Sequence, residues 1–594
     1  MRVADYIMHC LVKAGVEHVF LVTGRGALFL DDALAKHPEL EAISLHHEQS
    51  CAFAAVAYAQ QTGKLGACLV SSGCAATNTL TGVLSAWQDG IPCVFISGQN
   101  MLHETSRYTG IALRTYGQQE ADIVTLVQPI TKFSRMITRP EEILEVMNLA
   151  FQSANSGRKG PVWIDVPLDL QSALIDPEMI PTANRDPIVP ICATGEAISK
   201  VVEALSYAKR PVVLIGSGVR SSGCKAAFEH FVERWNLPVT YTAAATDTYD
   251  NVKRLSIGSV GSMGCSRAGS FAVQNADLLL VLGSRLSSLT TGPDFCKVAR
   301  AAKTIVVDID DVEHSKKSIH IDQFIHSDLA IFFDQINQFQ PRSIDMAWVD
   351  KCQHWKALFS DIELEFNSED KIDLYQLAAS LSKVLPTPST VITDSGLAEV
   401  ILPTNIRFTG GMNCIHPVSQ GAMGFALPAA IGAYYGGAQV VVAIVGDGSI
   451  MMNLQELETI RYRQLPIKII VINNNVYAII RKRQRDLFRK RTIGTDPENG
   501  VSCPNFEKVA ACFGIDYMKI EGPKELEQGL IDLVGRKSAV LCEIMGRADQ
   551  GYIEIGQARS TADRKLKRRP LEDQEPFLPR DLFLSEMVVE PIDQ

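Results

Sequence analysis

Residues 440–476 read VVVAIVGDGSIMMNLQELETIRYRQLPIKIIVINNNV, and this stretch decides the fold. It divides into an apolar strand, an acidic glycine turn (Gly446-Asp447-Gly448-Ser449), a helix over NLQELETIRYRQ, a second apolar strand and an asparagine turn. Asn473 stands 24 positions after Ser449, the spacing of one strand–helix–strand unit. Both turns then fall at the same edge of a parallel sheet. Asp447 and Asn474 converge there as oxygen ligands for a small hard cation, and Mg²⁺ held by one or two side chains plus phosphate oxygens fits that set. The glycines let backbone N–H groups approach a diphosphate, and the helix that follows is expected to present its N-terminus to it. A bare GDG is common in turns; its pairing with an Asn run between two buried strands is not.

The same texture runs along the chain. HVFLV, GACLVSS, CVFISG, PVVLIGSG, DLLLVLGS, TIVVDID, STVITDSG and VVVAIVG are apolar on both faces, as parallel strands covered by helices must be. The reading is α/β, with three domains of mostly parallel sheet. Residues 1–175 form the first, 190–340 the second and 365–550 the third. A Pro-bearing linker over 177–190 and a helical connector over 340–371 separate them. The tail, 551–594, carries a basic cluster at Arg564–Arg569 and is either a wrapping surface segment or a lid. The charge-free run from Phe408 to Gly446 is broken by Pro417, Pro428 and Gly436–Gly437, so it reads as a buried helix and strand and not as a membrane span.

Composition narrows the function. With 594 residues and 46% hydrophobic residues the chain can bury several cores, which excludes a disordered or coiled-coil protein. A net charge of −10 argues against nucleic acid or an anionic membrane as partner. The 14 cysteines form no CxxC pair, which points to buried thiols in a reducing cytoplasm. No clear GxGxxG followed by an acidic residue supports a nicotinamide oxidoreductase.

Further motifs carry a resemblance. Glu48 opens the small-residue helix SCAFAAVAYAQQTG. Downstream lie SSGCAATNTLTG (71–82), YGQQEADIVTLVQPITKF (116–133) and GAMGFALPAAIGA (421–433). With the Asp447 and Asn474 turns, the chain resembles the thiamine-diphosphate enzymes of the acetolactate synthase, pyruvate oxidase and pyruvate decarboxylase group along nearly its whole length. In type it is most similar to the ketone-accepting carboligases of yersiniose-type branched-sugar biosynthesis. The resemblance implies thiamine diphosphate and Mg²⁺, with Asp447, Asn474 and the main-chain carbonyl of Val476 as metal ligands. Gly446, Gly448 and Ser449 would lie at the diphosphate, and Asn78 and Gly396 elsewhere along the cofactor. Gly421 and Met423 would hold the aminopyrimidine, Met423 as the wedge that bends the cofactor. Glu48 would be the catalytic acid sharing a proton with N1′ of that ring, and Gln119 the glutamine near the reacting substrate.

In the second domain Gly216, Thr242, Gly261, Gly283, Arg285, Asp308, Ile309 and Asp328 fall on FAD-binding positions of acetolactate synthases, where the flavin is structural. An ADP-type nucleotide or an empty relic domain are the alternatives. Pyruvate would lose CO₂ and pass its two-carbon unit to a carbonyl acceptor: a nucleotide-linked keto-deoxysugar, or a second pyruvate as in acetolactate synthase. A 2-oxoacid decarboxylase or acyl-CoA lyase is the lesser alternative. The intact Glu48, Asp447 and Asn474 argue against a binding protein with a dead fold. A homodimer or homotetramer is implied. Departures gather on the substrate side: Arg25 replaces a glycine, Gln118 a phenylalanine and Cys74 a proline. Asp394-Ser395-Gly396-Leu397-Ala398-Glu399 stands where acetolactate synthases carry GQHQMW. In the second domain Met263 replaces a histidine, and Arg285–Leu289 replaces RFDDR.

Overall fold

The structure is a computed structural model. It describes the chain except residues 177, 179–189, 294, 317–318, 342–344, 360–362, 364–365, 560–565 and 593–594. The expected linker over 177–190 and part of the basic cluster at 564–569 therefore lie outside the described residues.

Three six-stranded sheets follow one another, and every strand pair in them is parallel. The central strands are the apolar runs of the sequence. Gly66–Val70, Cys93–Gln99, Pro211–Ile215 and Leu278–Leu282 are buried at every position. Such strands cannot face water on either side and so require helices on both. Counted along the chain, the first and third sheets share the order 2-1-3-4-6-5. The second has the order 3-2-1-4-5-6, with its switch point between Pro211–Ile215 and Leu278–Leu282. Open sheets of this order bind dinucleotides at that point, outside the carboxyl ends of the strands.

The first and third domains are joined by two helices. Glu48–Thr62 is alanine-rich because it must lie close to a second helix, Ala426–Tyr435. At Gly432 a Cβ would fall 2.0 Å from the Ala54 carbonyl, so only glycine permits the approach. Phe53 and Phe425 meet edge to face at 5.1 Å, and one apolar core runs through both domains. The expected helix and strand of the charge-free run are Ala426–Tyr435 and Val441–Gly446. No helix among the described residues is long and apolar enough to cross a membrane.

The connector helix Met346–Leu358 lays Trp348 and Trp355 against the second sheet. The tail covers the same face. Glu554–Ile555 pairs antiparallel with Gln574–Glu575, and Ile555, Leu571 and Phe583 enter that core. Glu586 accepts from Lys351 Nζ at 2.6 Å and from Trp355 Nε1 at 3.0 Å. The start of the tail, Tyr552 and Ile553, lies in the third domain's core, and its later described part packs along the second domain.

Candidate active site

At the carboxyl edge of the third sheet the two turns close on each other. The Asp447 carboxylate accepts the Gly448 N–H at 2.7 Å, the Asn474 N–H at 3.0 Å and the Asn475 N–H at 2.5 Å. Asn474 Oδ1 accepts the Val476 N–H at 3.2 Å, which bends the chain back and requires φ +55° at Asn475. Burial pushes the Asp447 carboxyl up and the three N–H groups pull against it. A cation there would hold it ionised. Asp447, Asn474 and the Val476 carbonyl are a hard, all-oxygen set with one formal charge, which suits Mg²⁺ completed by phosphate oxygens. Among the described residues no cluster of three or more His, Cys, Asp or Glu competes as a metal site. Gly448 is obligatory, since a Cβ would lie 2.1 Å from the Tyr477 ring.

One expectation is corrected. The helix expected from Asn453 starts later. Ile450–Met452 is a single 3-10 turn, and the α-helix begins only at Glu456. Asn453 intervenes: its Nδ2 donates to the Gly424 carbonyl at 2.9 Å and to Gln49 Oε1 at 3.1 Å, and its Oδ1 accepts from Ser50 Oγ at 3.0 Å. An asparagine bonded outward in this way leaves the helical path. The α-helix therefore begins beyond Asn453, and the Gly446–Ser449 turn leads directly into the 3-10 turn.

The Gly421–Gly424 loop bends through φ +60° at Gly421 and +79° at Gly424, with Met423 half-buried between them. Asp394 ties it to the Asp447 turn, for its Oδ2 accepts from Ser449 Oγ at 2.8 Å and from the Gly424 N–H at 3.1 Å. Burial pushes Asp394 up to about 8. Its Oδ1 is buried with no partner among the described residues, a polar atom left for a ligand. Gly396, at φ +87°, starts the next helix with open space beside it.

At the first sheet's edge, His47 caps the helix and Glu48 opens it half-buried, with its Oε2 accepting from Asn78 Nδ2 at 2.9 Å. Gln119 is exposed, with φ +57°, and its carbonyl passes so close to Gly73 that a Cβ would fall 1.8 Å from it. Glu48, Asn78 and Gln119 thus share one edge; Asp447, Asn474, Val476, Gly448 and Ser449 share another. Among the described residues no hydrogen bond joins Glu48 to Asp447 or Asn474.

At the second sheet's switch point lies a cleft of about 710 Å³. Gly216, Thr242, Gly283, Arg285, Asp308, Ile309 and Asp328 line it; Gly261 does not, although its neighbour Val260 does. Gly261 has a packing role, since a Cβ there would meet Cys265 Sγ at 2.7 Å and the Leu289 carbonyl at 2.9 Å. Gly216 and Gly218 cross Gly283 with backbone atoms under 3 Å from any Cβ, which leaves a bare main-chain floor. That cradle, followed by cationic Arg285, fits a dinucleotide. Asp328 also caps the helix Leu329–Ile336. The far end of the cleft reaches Gly421 and a polar group not anticipated from sequence: buried His416 with half-buried Asp89 and Glu399. His416 Nε2 is 3.0 Å from the Ala243 carbonyl, and its Nδ1 faces Glu399 at 3.7 Å. Burial pushes Glu399 and Asp89 up.

Residues 1–126 match the N-terminal TPP binding domain of the thiamine pyrophosphate enzymes. Residues 198–336 match the central domain and 394–544 the C-terminal TPP binding domain. The chain belongs to this family and is a thiamine-diphosphate-dependent enzyme. Among individual proteins it is 32% identical over 548 residues to the acetolactate synthase isozyme 2 large subunit of Escherichia coli (strain K12), covering 92% of this chain and 95% of that one. It is 31% identical over 552 residues to the acetolactate synthase large subunit of Haemophilus influenzae, covering 91% and 93%. Its particular standing is thus that of an acetolactate synthase-like member.

Proposed function

We propose that the protein is a carboligase. It breaks the C1–C2 bond of pyruvate, releases CO₂, and joins the remaining two-carbon unit to the carbonyl carbon of a ketone; the new alkoxide takes up a proton. A nucleotide-linked keto-deoxysugar is the acceptor type we favour. Thiamine diphosphate supplies the carbon centre that carries the two-carbon unit. Glu48, oriented by Asn78, holds the proton at N1′ of the aminopyrimidine. Asp447, Asn474 and Val476 hold Mg²⁺ and through it the diphosphate, with Gly446, Gly448 and Ser449 alongside. Gly421 and Met423 seat the pyrimidine, and the cleft of the second domain holds FAD in a structural role.

The observation that carries the ketone acceptor is the altered substrate edge: Arg25 and Gln118 are hydrogen-bonded to each other there. Acetolactate synthesis from two pyruvates is the second reading, supported by the 30–32% identity over about nine-tenths of the acetolactate synthase subunits. A homodimer or homotetramer completes the site in this proposal. Exposed apolar side chains on both edges support it, Ile111 and Tyr116 on one and Ile480, Leu487 and Ile493 on the other. The cytoplasm is the proposed compartment, in keeping with 14 free and mostly buried cysteines.

Product analysis with pyruvate, thiamine diphosphate and Mg²⁺, with and without a ketone, tests the proposal. A tertiary alcohol formed only with the ketone supports it, and acetolactate as the sole product in both runs favours the second reading. Glu48→Gln is expected to abolish turnover while thiamine diphosphate still binds; surviving activity would sink the assignment.

A further inference from the structure

Arg25 and Gln118 lie 93 positions apart, and each departs from the resemblance pattern by replacing a residue with no polar side-chain atoms. The structure brings them together: Arg25 Nη1 donates to Gln118 Oε1. Both side chains are exposed, but both backbones are fixed. Gly26 N–H donates to Ser71 Oγ at 2.9 Å, and Gly98 passes so near the Gly26 carbonyl that a Cβ would stand 2.0 Å from it. The Gln118 carbonyl accepts from Asn100 Nδ2 at 3.0 Å, and the next residue, Gln119, is pinned against Gly73. The loop that begins at Ser71 continues to Asn78 and its bond with Glu48. The pair therefore stands on rigid supports at the edge that holds the proposed acid.

The bond also sets what this wall presents. A guanidinium has donors and no acceptor, so it can only take the amide oxygen of Gln118. That turns Gln118 Nε2 away from Arg25. Among the described residues Gln118 is the one acceptor the structure gives Arg25, and its other N–H groups point to no carboxylate. The wall faces the substrate with N–H donors, and the second lone pair of Gln118 Oε1 is the acceptor that remains. Oxygen atoms of a substrate satisfy such a wall. A methyl group or hydrocarbon chain pressed against it strips water from the donors and returns nothing.

Resting on the carboligase reading above, we propose that Arg25 and Gln118 form the specificity wall of the acceptor site. It selects ketones that carry a hydroxyl or ether oxygen on the carbon next to the carbonyl. The pair is a specificity element and takes no part in the release of CO₂.

Hydroxyacetone and butanone test this, since they differ by one hydroxyl in place of one methyl. The tertiary alcohol formed from each is measured per CO₂ released from pyruvate, which removes the donor half-reaction from the comparison. The double variant Arg25→Gly/Gln118→Phe restores the apolar pattern and is expected to lower the hydroxyacetone-to-butanone preference by about tenfold or more. Gln118→Met keeps the length of the side chain but removes its N–H donors and its oxygen; it is expected to lower the preference in the same direction, and it decides the matter should the double variant not fold. A preference within about twofold of the unaltered enzyme in a folded, CO₂-releasing variant overturns the proposal. An unaltered enzyme that releases no CO₂ from pyruvate overturns the carboligase reading itself, and this inference with it.

Discussion

The Ser449 hydroxyl donates to Asp394 Oδ2 at 2.8 Å, and through that bond the Asp447 turn and the Gly421–Gly424 loop share one carboxyl. Burial pushes Asp394 up to about 8, toward its neutral form. Asparagine has the same shape and no charge. Asp394→Asn is therefore predicted to keep the thiamine diphosphate concentration for half-saturation within about threefold. Asp394→Ala leaves the Ser449 hydroxyl without its acceptor and the Gly424 N–H with Ser449 Oγ alone, 3.0 Å away, at about 1–3 kcal/mol, and should raise that concentration roughly tenfold to a hundredfold. Cofactor titration of the apoenzyme measures both. Equal behaviour of the two variants would deny Asp394 this role.

Asp447 is the one formal charge of the proposed metal set. Its carboxylate also organises the Asn474 and Asn475 N–H groups, so removing it costs both the ion and the turn. Asp447→Ala is predicted to weaken Mg²⁺-dependent cofactor binding by more than about a hundredfold, or ~2.7 kcal/mol. Isothermal titration with and without Mg²⁺ is the measurement. A variant that still binds with a Mg²⁺ dependence close to the original would place the metal elsewhere.

These two groups differ in how far the sequence reveals them. Asp447 was legible because its chemistry is local: a strand, a glycine turn and an Asn run one crossover away fix its place. The buried central strands were legible for the same reason, being apolar on both faces. Asp394 and Asn453 were not, because their partners are distant in sequence. Asp394 meets Ser449 55 positions on, and Asn453 meets Gln49 across 404 positions. Nothing in an isolated Asp or Asn distinguishes a loop tie from a turn residue. The helix starts at Glu456 and not at Asn453 because the apolar period of NLQELETIRYRQ begins before its helical backbone does. Short edge strands such as Phe133–Met136 and Gln323–His326, only partly buried, carry too weak a pattern to be seen.

Asp165 gives a pH dependence away from the proposed metal. It is buried, accepts from Ser97 Oγ at 2.6 Å and Gln99 Nε2 at 3.2 Å, and is pushed up to about 7 by burial, the two hydrogen bonds opposing. An acid whose folded value is raised binds its proton more tightly folded than unfolded. The stability it contributes is fully present below its unfolded value near 4 and is lost as pH rises through about 7. Between those limits the loss approaches ~1.4 kcal/mol per pH unit from this group alone. Denaturant melts of the apoprotein at pH 5, 6 and 7 should show the decline after correction for other groups. Asp165→Asn should remove about one proton's worth of the slope. An unchanged slope in the variant would show that Asp165 is ionised in the folded protein.

Gly432 sets the distance between the helices that join the first and third domains. Its missing side chain lets the Ala54 carbonyl approach to where a Cβ would be 2.0 Å away, and backbone at that contact cannot turn aside as a flexible side chain would. Gly432→Ala must push the helices apart along a seam that also holds Phe53 against Phe425. Overpacking of this kind costs about 1–3 kcal/mol, against which alanine's better helix propensity returns about 1 kcal/mol. The net effect is predicted to be destabilising, with loss of catalytic activity exceeding loss of fold. The same helix begins beside the Gly421–Gly424 loop, and its partner begins at Glu48, so a shift of the seam moves both proposed halves of the site. Thermal melts and turnover measured on one preparation test this. A variant with a raised melting temperature and full turnover would show that the seam yields without strain.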